Sequence, residues 1–141
     1  MREVIPDLHQ FPWVTEHDLR FADMDPIGHV NHGTFLSLVE SSRSALLFGD
    51  EVPRAGNLQF VLARLEIDYR RELHWPGRVN SATGVERIET TSLGLRQAVF
   101  TDLDCAAVVR AVIVAVDREA HRPVPIPPST RDALERWRML A

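Results

Sequence analysis

Residues Arg20 to Glu40 read RFADMDPIGHVNHGTFLSLVE, with Asp23, Asp25, Gly28, His29, Asn31, His32 and Gly33 crowded ahead of one amphipathic run. The run is helical by its spacing. From Thr34 to Phe48 the apolar residues Phe35, Leu36, Val39, Leu46 and Leu47 recur at steps that fit one helix face, with serines and Ala45 among them. Small residues there let a sheet approach closely. Asn31 is a good N-cap, because its side-chain oxygen suits an N–H that the first helical turn leaves unpaired.

Outward from this helix the chain reads as strands. Val61 to Tyr69, VLARLEIDY, alternates Val61, Ala63, Leu65, Ile67 and Tyr69 against Leu62, Arg64, Glu66 and Asp68, the pattern of a half-buried strand. Pro76-Gly77 is a turn, Val79 to Ile88 a second strand and Ser92 to Phe100 a third. Cys105 to Asp117 follows the polar TDLD as a long fourth strand. These four are expected to form an antiparallel meander, since short connections pair neighbours. Trp13 to Phe21 is an earlier strand with poor alternation, and Ser129, three residues before Asp132, suggests a capping box opening a short last helix.

Strand, long helix, meander is an α+β order, with the helix lying across one face of a sheet of about five strands. Cys105 to Val116 is apolar at both parities except at Arg110. One helix cannot cover both faces, so a homodimer or homotetramer is expected.

Composition narrows the function. The chain has 141 residues, 45% of them hydrophobic, which suits a single domain over 1–141. Its net charge is −4 and its 16 basic residues are scattered, so no nucleic-acid partner is expected. No signal-like apolar stretch opens the sequence, and the longest apolar run is too short for a bilayer. The expectation is a cytoplasmic protein with no membrane partner. Cys105, the single cysteine, reads as a small core residue. His29 and His32 lack a third ligand at suitable spacing, so no metal site is expected. Arg70, Arg71, His74 and Arg78 crowd one loop and read as solvated surface, while Phe11, Trp13 and Phe60 read as core or as an acyl channel.

The polar cluster suggests chemistry. Amides at His32 and Gly33, in the first helical turn and backed by the helix dipole, suit a developing oxyanion. Gly33 adds no side chain there. Asp25 stands upstream across DPIGH, and a carboxylate facing such amides suits hydrolysis of an acyl group.

DMDPIGHVNHGTFL resembles the D-x-D-x-x-G-H-V-N-N motif of the 4-hydroxybenzoyl-CoA thioesterase-like branch of the hotdog-fold acyl-CoA thioesterases. LARLEIDYRRELHWPGRV, RIETTSLGLRQAVF and AVDREAHRPVPIPPSTRDAL resemble later segments of that family in the same order, so the likeness covers roughly residues 14 to 136. The resemblance implies a hotdog fold and hydrolysis of an acyl-CoA thioester, with coenzyme A as part of the substrate and no cofactor. It implies Asp25 as nucleophile or general base and the His32 backbone amide as the group that polarises the carbonyl. Gly28, His29, Val30 and Asn31 would shape the turn and contact the carbonyl or the attacking water, and Asp23 would support the turn. It also implies a site between two subunits, closed near Gln59 and Phe60 of the partner subunit. Arg122, with Arg87 and Ser92, would meet the coenzyme A phosphates. His32 stands where the family has a second asparagine and Phe35 where it often has tyrosine, which opens the identity of the acyl group. Another hotdog branch uses a helix glutamate, for which Glu40 is the counterpart. The alternatives are a non-enzymatic acyl-CoA binding or sensing module and a hotdog hydratase or dehydratase.

Overall fold

The computed structural model describes residues 4–141. Strand β1 (Trp13–Asp18) leads through a short 3-10 turn at Phe21–Asp23 to helix α1 (His32–Leu47). Strands β2 (Leu58–Tyr69), β3 (Arg78–Ile88), β4 (Ser92–Thr101) and β5 (Asp104–Asp117) follow, then the two-residue β6 (Arg122–Pro123) and helix α2 (Pro128–Glu135). They form a six-stranded antiparallel sheet in the order β1-β3-β4-β5-β2, with β6 added to β5. This is the hotdog arrangement, α1 lying across β1, β3 and β4. No described helix is long and apolar enough to cross a membrane.

Several expectations need correction. β2 does not join a four-stranded meander beside β3; it forms the far edge of the sheet against β5. Reaching β3 from there means crossing three strand spacings, about 14 Å. Residues 70–77 can extend up to about 26 Å, so the connection passes over the end of the sheet. The alternation in β2 is also interrupted. Its register against β5 shifts between Leu62 and Arg64, which leaves Ala63 as the extra residue of a bulge. Phe60 and Leu62 therefore share the helix-side face with Leu65, Ile67 and Tyr69, and Val61 does not. β1 ends at Asp18 rather than Phe21, and α2 starts on Pro128, whose fixed φ suits a first helical position, with no side-chain cap from Ser129.

The back of the sheet differs from expectation too. At β3 and β4 it is covered by Leu8, Phe11 and Met139, packed on Ala82, Ala98 and Phe100. Gly84 is required there, since an added Cβ would meet Met139 Sδ and lie 2.9 Å from Pro12 Cδ. Nearer β2 that face carries Arg96, Arg110 and Glu66 in one cross-strand row. Cys105 packs beside the Phe11 cluster, and burial pushes its thiol pKa up.

Between α1 and the sheet, Phe35, Val39, Leu46 and Leu47 are buried, each contributing about 1.5–3 kcal/mol. A polar seam runs through this apolar layer. Ser81 Oγ donates to Leu38 O at 2.9 Å, Gln97 Nε2 to Val39 O at 2.9 Å, and Trp13 Nε1 to Ser42 O at 3.0 Å. Ser42 Oγ lies 2.8 Å from Thr83 Oγ1, which also accepts from Gln97 Nε2 at 2.8 Å. Ser42 is thus small enough for close approach and polar enough to complete the network. Ser42→Ala should lower unfolding free energy by about 1–3 kcal/mol through the unpaired buried groups it leaves, read by urea denaturation at unchanged m-value.

Candidate active site

The turn from Asp25 to His29 is built around the Asp25 carboxylate. Asp25 Oδ1 accepts from Ile27 N at 3.0 Å and His29 N at 3.1 Å, while Asp25 N donates to His29 O at 2.7 Å. Gly28 closes the turn at φ +88°, a backbone region that side chains disfavour. One carboxylate oxygen is thereby fixed. The other, Oδ2, has no hydrogen bond among the described residues, and Asp25 lines an open cavity of about 360 Å³.

The start of α1 faces the same cavity. Asn31 caps it as expected, accepting Thr34 N on Oδ1 at 2.8 Å. The amides of His32 and Gly33 have no acceptor within the helix. His32 lines the cavity, its ring stacked on Tyr69 with centroids 4.1 Å apart. A Cβ added at Gly33 would lie 3.1 Å from Asn31 Oδ1, so a side chain there presses on the cap.

Asp23 belongs to the support of the turn. It is buried, its carboxylate held by Arg20 Nη2 at 2.8 Å and Arg20 N at 2.7 Å, and its carbonyl accepts Asn31 N at 2.9 Å. The hydrogen-bonded Arg20 guanidinium holds the Asp23 carboxyl below its ordinary pKa, against the opposing effect of burial.

The far wall comes from the end of β2 and the start of the connection, residues 70–77, that crosses the sheet end. Val30 N donates to Leu73 O at 2.8 Å, which clamps this connection to the Asp25 turn. Tyr69, Arg70, Arg71 and Glu72 line the cavity. Glu72 Oε2 lies 3.0 Å from His29 Nε2, and His74 Nδ1 lies 3.1 Å from Gly28 O. Arg71 pairs with Asp104 at 3.1 Å. Arg70, Arg71, His74 and Arg78 are exposed, as the sequence suggested, and Arg70 and Arg71 also line the cavity. His29 and His32 point to different partners, Glu72 and Tyr69. No group of three or more His, Cys, Asp or Glu side chains among the described residues is placed to hold a metal.

The other expected residues lie elsewhere in the chain. Arg87 pairs with Glu89 at 3.0 Å near the β3–β4 turn, and Ser92 starts β4. Arg122 pairs in register with Asp117, which itself opposes Leu58 at the opposite end of β2 from Tyr69. β2 is about 36 Å long at 3.3 Å per residue. Within one chain, Arg87, Ser92 and Arg122 do not join the Asp25 cavity. Glu40 is exposed on α1 and borders a second, smaller pocket.

A family model described as the thioesterase-like superfamily matches residues 19–134. No curated protein matches the sequence. Among solved structures, a Pseudomonas aeruginosa protein is 26% identical, with a TM-score of 0.86 over 96% of this chain and 98% of its own. A predicted thioesterase from Bacillus stearothermophilus is 28% identical, with a TM-score of 0.82 over 92% of this chain and 98% of its own. A Thermus thermophilus thioesterase, solved with coenzyme A and zinc, is 32% identical, with a TM-score of 0.78 over 88% of this chain and 98% of its own.

The Asp23 geometry predicts a pH signature. Because the folded pKa is lowered, the ion pair stabilises the fold fully above the unfolded carboxylate pKa, about 3.9. That contribution is lost as pH falls through the folded value. Asp23→Asn should therefore be less stable than wild type near neutrality, and the difference should shrink in acid, as measured by chemical denaturation across pH.

Proposed function

The chain belongs to the thioesterase-like superfamily, and on that footing we propose that it hydrolyses an acyl-CoA thioester at the Asp25 cavity. The observation that carries this reading is the pairing of a half-restrained carboxylate with a helix N-terminus on one cavity. Asp25 Oδ2, free of the turn, takes a proton from water as the water oxygen bonds to the thioester carbon. The carbonyl electrons move to oxygen, where the helix-start amides at His32 and Gly33 stabilise the charge. As the carbonyl re-forms, the C–S bond breaks and the CoA sulfur takes the proton from Asp25; the acid product ionises to solvent. Direct attack by Asp25 on the carbonyl, followed by water, uses the same groups. His29 helps hold the Asp25 turn through its amide and pairs with Glu72 through its ring. The reaction so written needs only water and the chain's own groups, with coenzyme A as part of the substrate.

The coenzyme A in the Thermus thermophilus relative supports a CoA ester as the donor. We also propose a homodimer, for a reason different from a bare apolar face. β2 is a long edge strand, paired on one side only among the described residues, with Val61 and Leu62 each more than 40% exposed. Such an edge invites another strand. Antiparallel pairing of two β2 strands would set the Leu58 end of one beside the Tyr69 end of the other. Gln59 and Phe60 of the partner subunit would then lie towards the cavity, and Arg122 of the partner subunit, on the other side of β5 from β2, would be brought nearer to a cavity that it does not line within one chain.

Asp25→Asn should lower kcat by at least about 10²-fold with little change in KM, the loss expected for a general base. His32→Ala should be mild, because its donor is the backbone. Release of free thiol from a panel of acyl-CoA esters measures both. Wild-type-like turnover by Asp25→Asn, with loss in Glu40→Gln, would move the chemistry to the helix.

A further inference from the structure

The second pocket, of about 110 Å³, lies between the C-terminal half of α1 and the start of β2. It is lined by Leu47, Phe48, Phe60, Leu62 and Ile113, with Glu40, Arg43 and Ser44 as its polar residues, and Glu40 makes no ion pair with Arg43 among the described residues. Arg43 is 7% exposed, and no hydrogen bond or ion pair reaches its guanidinium among the described residues. Its Nη1 is shut away with no acceptor. Burial lowers the Arg43 pKa, opposed only by the nearby charge of exposed Glu40. A buried guanidinium without an anion is costly. Replacement by an apolar side chain would remove that cost, so its presence calls for an acceptor that arrives from outside the chain.

The pocket and the Asp25 cavity occupy opposite ends of one seam. His32 and Phe35 of α1 meet Tyr69 at one end, and Phe48 meets Phe60 at the other, with ring centroids 6.3 Å apart. From His32 to Arg43 the helix advances about 16 Å. Between them Val39 and Leu65 pack in one cluster, with Leu36 and Glu40 exposed on the helix.

We propose that the Arg43 pocket is the acyl-terminus subsite, and that it selects acyl groups ending in a carboxylate, that is, CoA monothioesters of dicarboxylic acids. This rests on the thioesterase reading of the Asp25 cavity. The aliphatic stretch lies along the seam, and the terminal carboxylate supplies the acceptor that the guanidinium lacks. In a β2-paired dimer the pocket also borders the partner's cavity, so an acyl chain entering either site finds an Arg43 at hand.

The test compares ω-carboxyacyl-CoA esters with methyl-ended esters of equal length, in wild type, Arg43→Met and Arg43→Lys. Wild type should favour the carboxyl-ended series by about 10- to 100-fold in kcat/KM, the worth of a charged hydrogen bond. Arg43→Met should lose that preference while keeping methyl-ended turnover, and Arg43→Lys should keep part of it. Arg43→Met should also melt at or above the wild-type Tm. Non-hydrolysable thioether analogues of both series, assayed by calorimetric binding, separate the two proposals. If no ester is hydrolysed but carboxyl-ended analogues bind tighter in an Arg43-dependent way, the hydrolase reading fails and the subsite stands. Equal affinity for both series in wild type overturns the subsite. So does dissociation of the dimer, or a lowered Tm, in Arg43→Met, since either would make Arg43 a structural partner of the second copy.

Discussion

The carbonyls of Leu38, Val39 and Ser42 on α1 each accept a hydrogen bond from a side chain of the sheet, and this seam fixes where the helix sits. Apolar contact alone would let a helix slide or roll on a sheet at small cost, because dispersion has little direction. Hydrogen bonds from Ser81, Gln97 and Trp13 have direction and hold α1 both along and about its axis. The helix start, and so the position of the His32 and Gly33 amides, follows from that anchoring in the middle of the helix.

The other half of the site depends on chain path. Because β2 lies at the far edge, residues 70–77 must cross the sheet end to reach β3. In doing so they cover the Asp25 turn, which Val30 N grips through Leu73 O. A topology with β2 beside β3 would need only a tight hairpin and would leave that turn open to solvent. The long connection is therefore the wall of the cavity as well as a link between strands.

What was legible in the sequence follows the same physics. α1, its Asn31 cap and the tight turn at Gly28 are local, and local rules found them. The strands were found for the same reason, but their order was not. The edge position of β2 is a long-range pairing with β5, which period-two alternation cannot encode. Strict alternation also failed inside β2, since a bulge carries no composition signal when the extra residue is an ordinary alanine. At the site, Asp25, Asn31 and the helix amides were within one short segment and could be read together. Glu72, Tyr69 and His74 join them only through the crossing connection, and Arg43 stood out only once its burial was seen. Reading Cys105 to Val116 as apolar at both parities overlooked that the Phe11 and Met139 segments return to cover part of the back face.

The bulge at Ala63 has an evolutionary consequence. Loss of this one residue would restore an uninterrupted ladder and still leave Phe60 and Leu62 opposite Ala115 and Ile113 on the helix side, because the pairings on both sides of the bulge are kept. Tyr69 and everything beyond it would keep their register with β5. A single-codon deletion at Ala63 would thus keep Phe60 and Leu62 in the lining of the Arg43 pocket and leave the Asp25 turn untouched. In such a fold an edge strand can gain or lose a residue at its bulge without a change in what its side chains line.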